Sequence, residues 1–366
     1  MRYHGVDLHK RYATVSVRDD KGQEVGYLPR EVDFRGYVQR MGQEDVVGLE
    51  ASAGTLWWAE GIANTGARCI VIDPHRYRII RDSWNKTDRR DAAALSLGLW
   101  LAEHTGEVKL PVVWQPGPAV RELRRLFSHY QLLTNQIRQL KNEVHGMLTD
   151  NGMFDERRAK AVVEAPQKAE RLLQGIELSE ASRLCVRMSL EQLQALSGQK
   201  QLLRRQIYGF GRPLEVQVRL LIGIRGITPL LALAFLAEVG DIRRFRSARR
   251  LFSYLGVVPR IHSSGGITRS GPINRASRGL ARSLFTQAVP HLADSSRSLG
   301  RFYADLVERR GYGRARIALL RKVFAIMRRM LMDCTPYAGM ELPLYSKKVQ
   351  EWERELKKLE VTPNAA

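Results

Sequence analysis

Four carboxylates in this chain are spaced as a divalent-metal site requires. Asp7 ends a short apolar segment in GVDLHK, and Glu50 closes the run DVVGLE. Asp88 and Asp91 lie three apart in KTDRRDAAALSLGL. That i, i+3 spacing places both on one helical face. Two-metal phosphodiester chemistry needs carboxylates converging from different elements, holding Mg²⁺ ions about 3.5–4 Å apart to activate a nucleophile and stabilise the leaving oxygen. Acids at strand ends, with a DxxD pair on a later helix, suit that task. Each acid also has an ordinary structural use. Asp7 would cap a turn, Glu50 would be a solvated strand end, and Asp88 a helix N-cap with Asp91 beside it. Asp19, Asp20, Asp73 and Asp82 are near in sequence, and chain order alone does not exclude them.

These acids need a scaffold, and up to about residue 110 the chain reads as strands alternating with helices. Arg2–Leu8 and Tyr12–Arg18 look like a hairpin joined by the polar His9-Lys10-Arg11. DVVGL (45–49) and RCIVID (68–73) are compact apolar runs suited to buried strands. Phe34–Met41, Leu56–Asn64 and Asp88–Leu101 read as helices. The expectation is an α/β domain that opens antiparallel and continues parallel. Pro111, Pro116, Gly117 and Pro118 mark a linker. Beyond it Leu123, Leu126, Tyr130, Leu133, Ile137, Leu140, Val144 and Met147 follow a 3-4 spacing, the seam of a coiled coil. Val186, Leu193, Leu196, Leu203 and Ile207 repeat it less cleanly, with Ser189 and Lys200 on the seam. Pairing within one chain or between two chains remains open. A helical, basic third region starts near Leu214, and one short charged helix follows Pro336.

The chain has 366 residues, 44 % of them hydrophobic, which is room for two or three folded domains. Its 59 Lys and Arg against 38 Asp and Glu give a net charge of +21. Such an excess points to a polyanionic partner, nucleic acid first and an anionic membrane surface second. Apolar runs such as Leu230–Leu236 are too short to span a bilayer. MRYHGVDLHK carries no apolar signal segment, so a cytoplasmic protein is expected. Cys69, Cys185 and Cys334 are scattered, and neither a disulfide framework nor a zinc site follows. LLIGIRGITPLLALAFLAEVGDI has the outline of a helix-hairpin-helix, with Gly223 and Gly226 flanking the turn. It fits a phosphate-binding turn and a core αα-hairpin equally well. Trp57, Trp58 and Trp84 are read as core or interface residues before base-stacking ones. Residues 301–330 hold nine Arg or Lys against Asp305 and Glu308, a stripe suited to a nucleic-acid backbone.

The series GVDLHK, GLEASAG, DPHRYRIIRDSWNKTDRRDA, IRGITPLLALAFLAEVGDI and FSYLGVVPRIHSSG resembles the DEDD transposases of insertion-sequence family one-ten, over nearly the whole chain. The middle helices match only in character. The resemblance implies a RuvC-like (ribonuclease H-fold) catalytic domain at 1–110 and a helical coiled-coil linker or dimerisation region at 111–212. A mainly helical transposase domain would fill 213–335, before a tail helix at 336–366. By position the DEDD acids are Asp7, Glu50, Asp88 and Asp91, binding two Mg²⁺, with Mn²⁺ an alternative. The family also uses a serine that attacks DNA and forms a phosphoserine link. GVVPRIHSSGG makes Ser264 the best match and Ser263 the runner-up, although the stretch from the serine to GITRSGPINR is shorter than the family pattern. Gly265 and Gly266 would let backbone approach a phosphate. Arg260, Arg269, Arg275 and Arg278 would neutralise phosphoryl oxygens. His262 is adjacent to the serines in sequence, which is not evidence of a Ser-His-Asp geometry.

Further implied are donor and target DNA, a structured non-coding guide RNA, and a dimer or tetramer whose active sites draw on two protomers. No membrane partner is implied, and the setting is the prokaryotic nucleoid. Delegating sequence choice to base pairing would leave the protein to read shape and backbone. The main alternative is a RuvC-like DNA junction nuclease that uses the acids alone. An actin-like or sugar-kinase nucleotide-binding fold would want a DxGT loop that GVDLHK lacks. A basic RNA-binding scaffold with degenerate acids is the non-enzymatic reading.

Overall fold

The computed structural model describes residues 1–77, 87–264, 267–273, 279–294 and 297–360. The chain divides into two compact units, Met1–Pro116 and Gly117–Ala366.

The first unit contains strands β1 (Arg2–Leu8), β2 (Ala13–Arg18) and β3 (Glu24–Glu31), helix α1 (Phe34–Gln39) and strand β4 (Asp45–Glu50). Helix α2 (Thr55–Asn64), strand β5 (Arg68–Ile72) and helix α3 (Asp88–His104) follow. The sheet order is β3-β2-β1-β4-β5. β2 runs antiparallel to β1 and β3, whereas β4 and β5 are parallel to β1. This is the ribonuclease H-like arrangement. Side chains of period two sort the strands into two faces. Val6, Val15, Val47, Leu49 and Val71 pack with Phe34, Val38, Ala59 and Ile62 of α1 and α2. On the opposite face Tyr3 and Val46 meet Leu99, and Ile72 meets Leu95, both from α3. β3 is absent from the expectations above. Its EVGYLPRE is mostly solvent-facing and contains Pro29, which an edge strand tolerates because one side of its ladder is unpaired.

In the second unit the heptad seam becomes α4 (Pro118–Asp150), which returns through α5 (Glu156–Glu164) to α6 (Glu180–Phe210). Leu123 and Phe127 cluster with Ile207 and Tyr208, while Val144 and Leu148 cluster with Val186 and Leu190. The two long helices therefore pair antiparallel within one chain. The polar seam residues are accommodated: Ser189 is buried, and Lys200 lies 4.9 Å from the Tyr130 ring centroid. Desolvation of Lys200 there lowers its ammonium pKa from the ordinary value.

After α6 come the helices α7 (Glu215–Leu221), α8 (Pro229–Val239), α9 (Ala248–Tyr254), α10 (Leu280–Ala293), α11 (Arg297–Asp333) and α12 (Leu342–Glu360). Thr228 caps α8 and Pro229 opens it, the favoured start of a helix. α8 is buried on nearly every side, and Phe235 meets Phe285 and Phe324 in the central core. The α7–α8 turn is packed rather than open. At Gly226 (φ +77°) a Cβ would press to 3.0–3.1 Å on the backbone of His291 and Leu292, and the positive φ itself favours glycine. Lys348 of α12 donates to the carbonyls of Ile222 and Ile224 at 2.7 Å each. Burial pushes this ammonium down to about 8. The geometry is that of a core αα-hairpin. One departure from an all-helical region is a β-hairpin, β6 (Pro259–Ser264) with β7 (Ile267–Ile273). No helix among the described residues is long and apolar enough to cross a membrane.

Candidate functional site

Two glycines set the position of α3. Gly5 and Gly48 are direct partners in the parallel β1–β4 pair, so they sit side by side in the sheet. A Cβ on Gly5 would run into the carbonyl of Ala92, the amide of Ser96 and Cβ of Leu95; one on Gly48 would press on Leu99. Both glycines therefore face α3, and the helix rests on backbone there. Two residues further along each strand come Asp7 and Glu50. Strand alternation puts both acids on that same face, at the strands' C-terminal ends. β1 and α3 run in opposite senses, since Tyr3 meets His104 while Gly5 meets Ala92 and Ser96. The first turn of α3, which bears Asp88 and Asp91, thus lies over the end of β1 that bears Asp7.

Thr87 caps this helix by accepting from the Arg90 amide at 3.4 Å, so Asp88 is the first helical residue and not the cap considered for it above. That leaves the Asp88 side chain available for other contacts. Asp91 is buried, 4 % exposed. The positive end of the helix dipole favours carboxylates in this turn.

His9 joins the acids, although the reading of His9-Lys10-Arg11 as a polar connection gave it no role. Its Nε2 is 3.3 Å from Asp7 Oδ2 and 3.1 Å from Asp88 Oδ2. The three ligand atoms lie within 4.8 Å of one another. Nε2 is inaccessible to solvent and makes no aligned hydrogen bond. The ring is held in place from behind. It stacks on Tyr12 (centroids 4.4 Å apart), the His9 amide donates to the Tyr12 carbonyl, and the Arg30 guanidinium covers the other ring at 4.8 Å. Tyr12 also donates to Asp88 Oδ2 at 3.4 Å. The spacing carried a signal: positions 7 and 9 share a face if the strand continues. Two carboxylates and an imidazole form a donor set that fits a divalent cation. Exposed cations surround it: Lys10, Arg11, Arg30, Arg89 and Arg90, with Arg89 stacked on Tyr27.

The other acids near in sequence are placed differently. Asp73 accepts from the His75 amide and pairs with Arg76, as a turn residue does. Asp19 accepts from the amides of Lys21 and Gln23 in the β2–β3 turn, at the opposite end of the sheet from Asp7. Asp82 and Trp84 lie outside the described residues. Trp58 packs edge-on against Phe34, whereas Trp57 is 59 % exposed on the outer side of α2 and is not a core residue.

Ser263 and Ser264 are consecutive residues of β6, in the second unit, where Ser264 pairs with Ile267. His262 pairs with Arg269, and Arg260 is exposed on the same hairpin. Gly265, Gly266, Arg275 and Arg278 lie outside the described residues. The hairpin also had a sequence signal, since Gly-Gly between IHSS and ITRS is a two-residue turn composition. On α11, broken at Gly311 (φ +74°), most of the basic side chains are exposed, among them Arg309, Arg310, Arg314 and Arg316.

Comparison with known proteins agrees with this architecture in both units. Residues 4–152 match the DEDD transposase family typified by IS110, and residues 218–304 match the transposase IS116/IS110/IS902 family. A Pseudomonas aeruginosa protein described as a probable family 20 transposase is 27% identical over 91% of this chain and 94% of its own length. The Coxiella burnetii transposase for insertion sequence element IS1111A is 27% identical over 87% of this chain and 86% of its own.

Proposed function

Because the chain belongs to the DEDD transposases of the IS110 family, we propose that it excises and inserts its own element by divalent-metal-dependent strand cleavage through a phosphoserine–DNA intermediate. The observation that carries the metal part is the gathering of Asp7 and Asp88 around one point, with Glu50 on the same sheet face and Asp91 in the same helical turn. Asp7, Glu50, Asp88 and Asp91 would hold Mg²⁺, with Mn²⁺ as the alternative. When bound, such ions supply Lewis-acid polarisation of the phosphoryl oxygens and lower the pKa of a nucleophile.

The chain's own residues do the rest. The exposed cations Lys10, Arg11, Arg30, Arg89 and Arg90 draw the DNA backbone toward the acids. Ser264 Oγ gives up its proton and bonds to phosphorus, and the bond to the leaving strand oxygen breaks as that oxygen takes up a proton. The phosphodiester energy is kept in the serine ester, so a new strand hydroxyl can reverse the step and join without an external energy source. Arg260, Arg269, Arg275 and Arg278 would offset the charge on the phosphoryl oxygens. A structured guide RNA would choose donor and target sites by pairing, leaving the protein's cations, including those of α11, to grip backbone. The active form in this reading is a dimer or tetramer.

Donor and target DNA incubated with RNA-loaded protein and Mg²⁺, then run on a denaturing gel, test the nucleophile. The expected result is a protein–DNA adduct that Ser264→Ala abolishes while Ser263→Ala retains it. Cleavage by Ser264→Ala without any adduct would replace this reading with a junction nuclease that uses the acids alone.

A further inference from the structure

We infer that His9 is a ligand of the metal centre, its Nε2 binding the ion together with Asp7 and Asp88. This inference rests on the metal role proposed for the acids and adds a nitrogen donor to it. Three observations support it. First, the separations are those of neighbouring ligands on one ion. Donors at about 2.1 Å from an octahedral cation stand about 3.0 Å apart when adjacent and about 4.2 Å when opposite. Nε2 lies 3.3 Å and 3.1 Å from the two carboxylate oxygens, and all three atoms fall within 4.8 Å.

Second, Nε2 is sealed from solvent yet has no aligned hydrogen bond to either oxygen. A buried polar atom is normally satisfied, and a cation shared with the carboxylates would satisfy this one. Third, the ring is fixed in advance. Tyr12 stacks on it, Arg30 caps Tyr12, and the His9 amide is tied to the Tyr12 carbonyl. Ligating imidazoles are characteristically held in orientation by their surroundings. An ordinary surface histidine in a polar turn needs none of these contacts.

The test uses Mn²⁺ as the probe, titrated into the full-length protein and read by pulsed electron paramagnetic resonance. Imidazole nitrogen on the ion gives a ¹⁴N coupling that an all-oxygen site lacks. Wild-type protein is expected to show the coupling. His9→Gln and His9→Asn, two variants so that folding of either suffices, are expected to lose it and bind Mn²⁺ about tenfold or more weakly. Mn²⁺ bound by wild type without ¹⁴N coupling, or coupling that survives in a folded His9 variant, would overturn the inference and leave the acids in place. Undiminished Mn²⁺ binding by Asp7→Asn would instead remove the acid site itself, and the inference with it.

Discussion

Replacing Gly5 by alanine should damage the site without touching any of its ligands. The new methyl would point at α3, where Cβ of Leu95 is 2.9 Å away and the backbone of Ala92 and Ser96 is nearer still. Comfortable carbon contacts begin at about 3.5–4.0 Å, so the helix must retreat by at least about 0.6–1.1 Å. Backbone of a packed helix cannot swing aside as a side-chain tip can. Overpacking of this kind costs about 1–3 kcal/mol, and the first turn of α3 carries Asp88 and Asp91 with it. A displacement near 1 Å at a reacting centre can lower rate about 10²-fold. Urea unfolding reads the first effect, and plasmid recombination at saturating Mg²⁺ reads the second. Gly61→Ala is the control, since nothing lies within 4 Å of that position in α2 and helical alanine is favoured by about 0.5–1 kcal/mol. A Gly5→Ala protein with wild-type stability and recombination would refute the claim that close contact between helix and strand positions the acids.

Lys348→Met should destabilise the second unit by about 1–3 kcal/mol for each carbonyl it leaves unsatisfied, because Ile222 and Ile224 both lose their ammonium donor; chemical denaturation with recombination assayed in parallel checks this. Acid should weaken the first unit in two steps. Burial holds His4 below its usual value of about 6.5. For Asp45, burial alone would raise the carboxyl, but hydrogen bonds from the Gly42 amide, His4 and Arg2 bring it below the usual carboxylate value. Both folded values lie under the unfolded ones, so the stabilisation is complete above about pH 6.5 and is lost as pH falls through each folded value. Urea midpoints from pH 7.5 to 4.5 should fall less steeply in His4→Gln than in wild type; parallel slopes would count against it.

Much of the first unit can be read from its residues. Partial apolar alternation marks β1 and β2, compact apolar runs mark β4 and β5, and GVD and GLE each place an acid two residues beyond a glycine on the face that receives α3. β3 is not legible because an edge strand with Pro29 and outward polar residues has no buried face to impose a pattern. The heptads of α4 are clear and those of α6 less so, yet spacing is the same for a hairpin and for two chains. The folded contacts of Leu123 with Ile207, and of Val144 with Val186, supply what spacing cannot. His9 has only a weak signature, its two-residue spacing from Asp7, because a histidine in a polar turn joins no site until the chain folds Asp88 against it. PRIHSS and ITRSGPI pair as strands although they interrupt a helical, arginine-rich stretch, whose basic composition obscures the Gly-Gly turn signal between them.

Recombination of paired donor and target plasmids by Asp7→Ala, at wild-type protein levels and with wild-type folding, tests the whole account most directly. Loss of recombinant product to background, with DNA and RNA binding retained, is the predicted result. Product formed at the wild-type rate would show that strand transfer proceeds without this carboxylate and would contradict the account at its root.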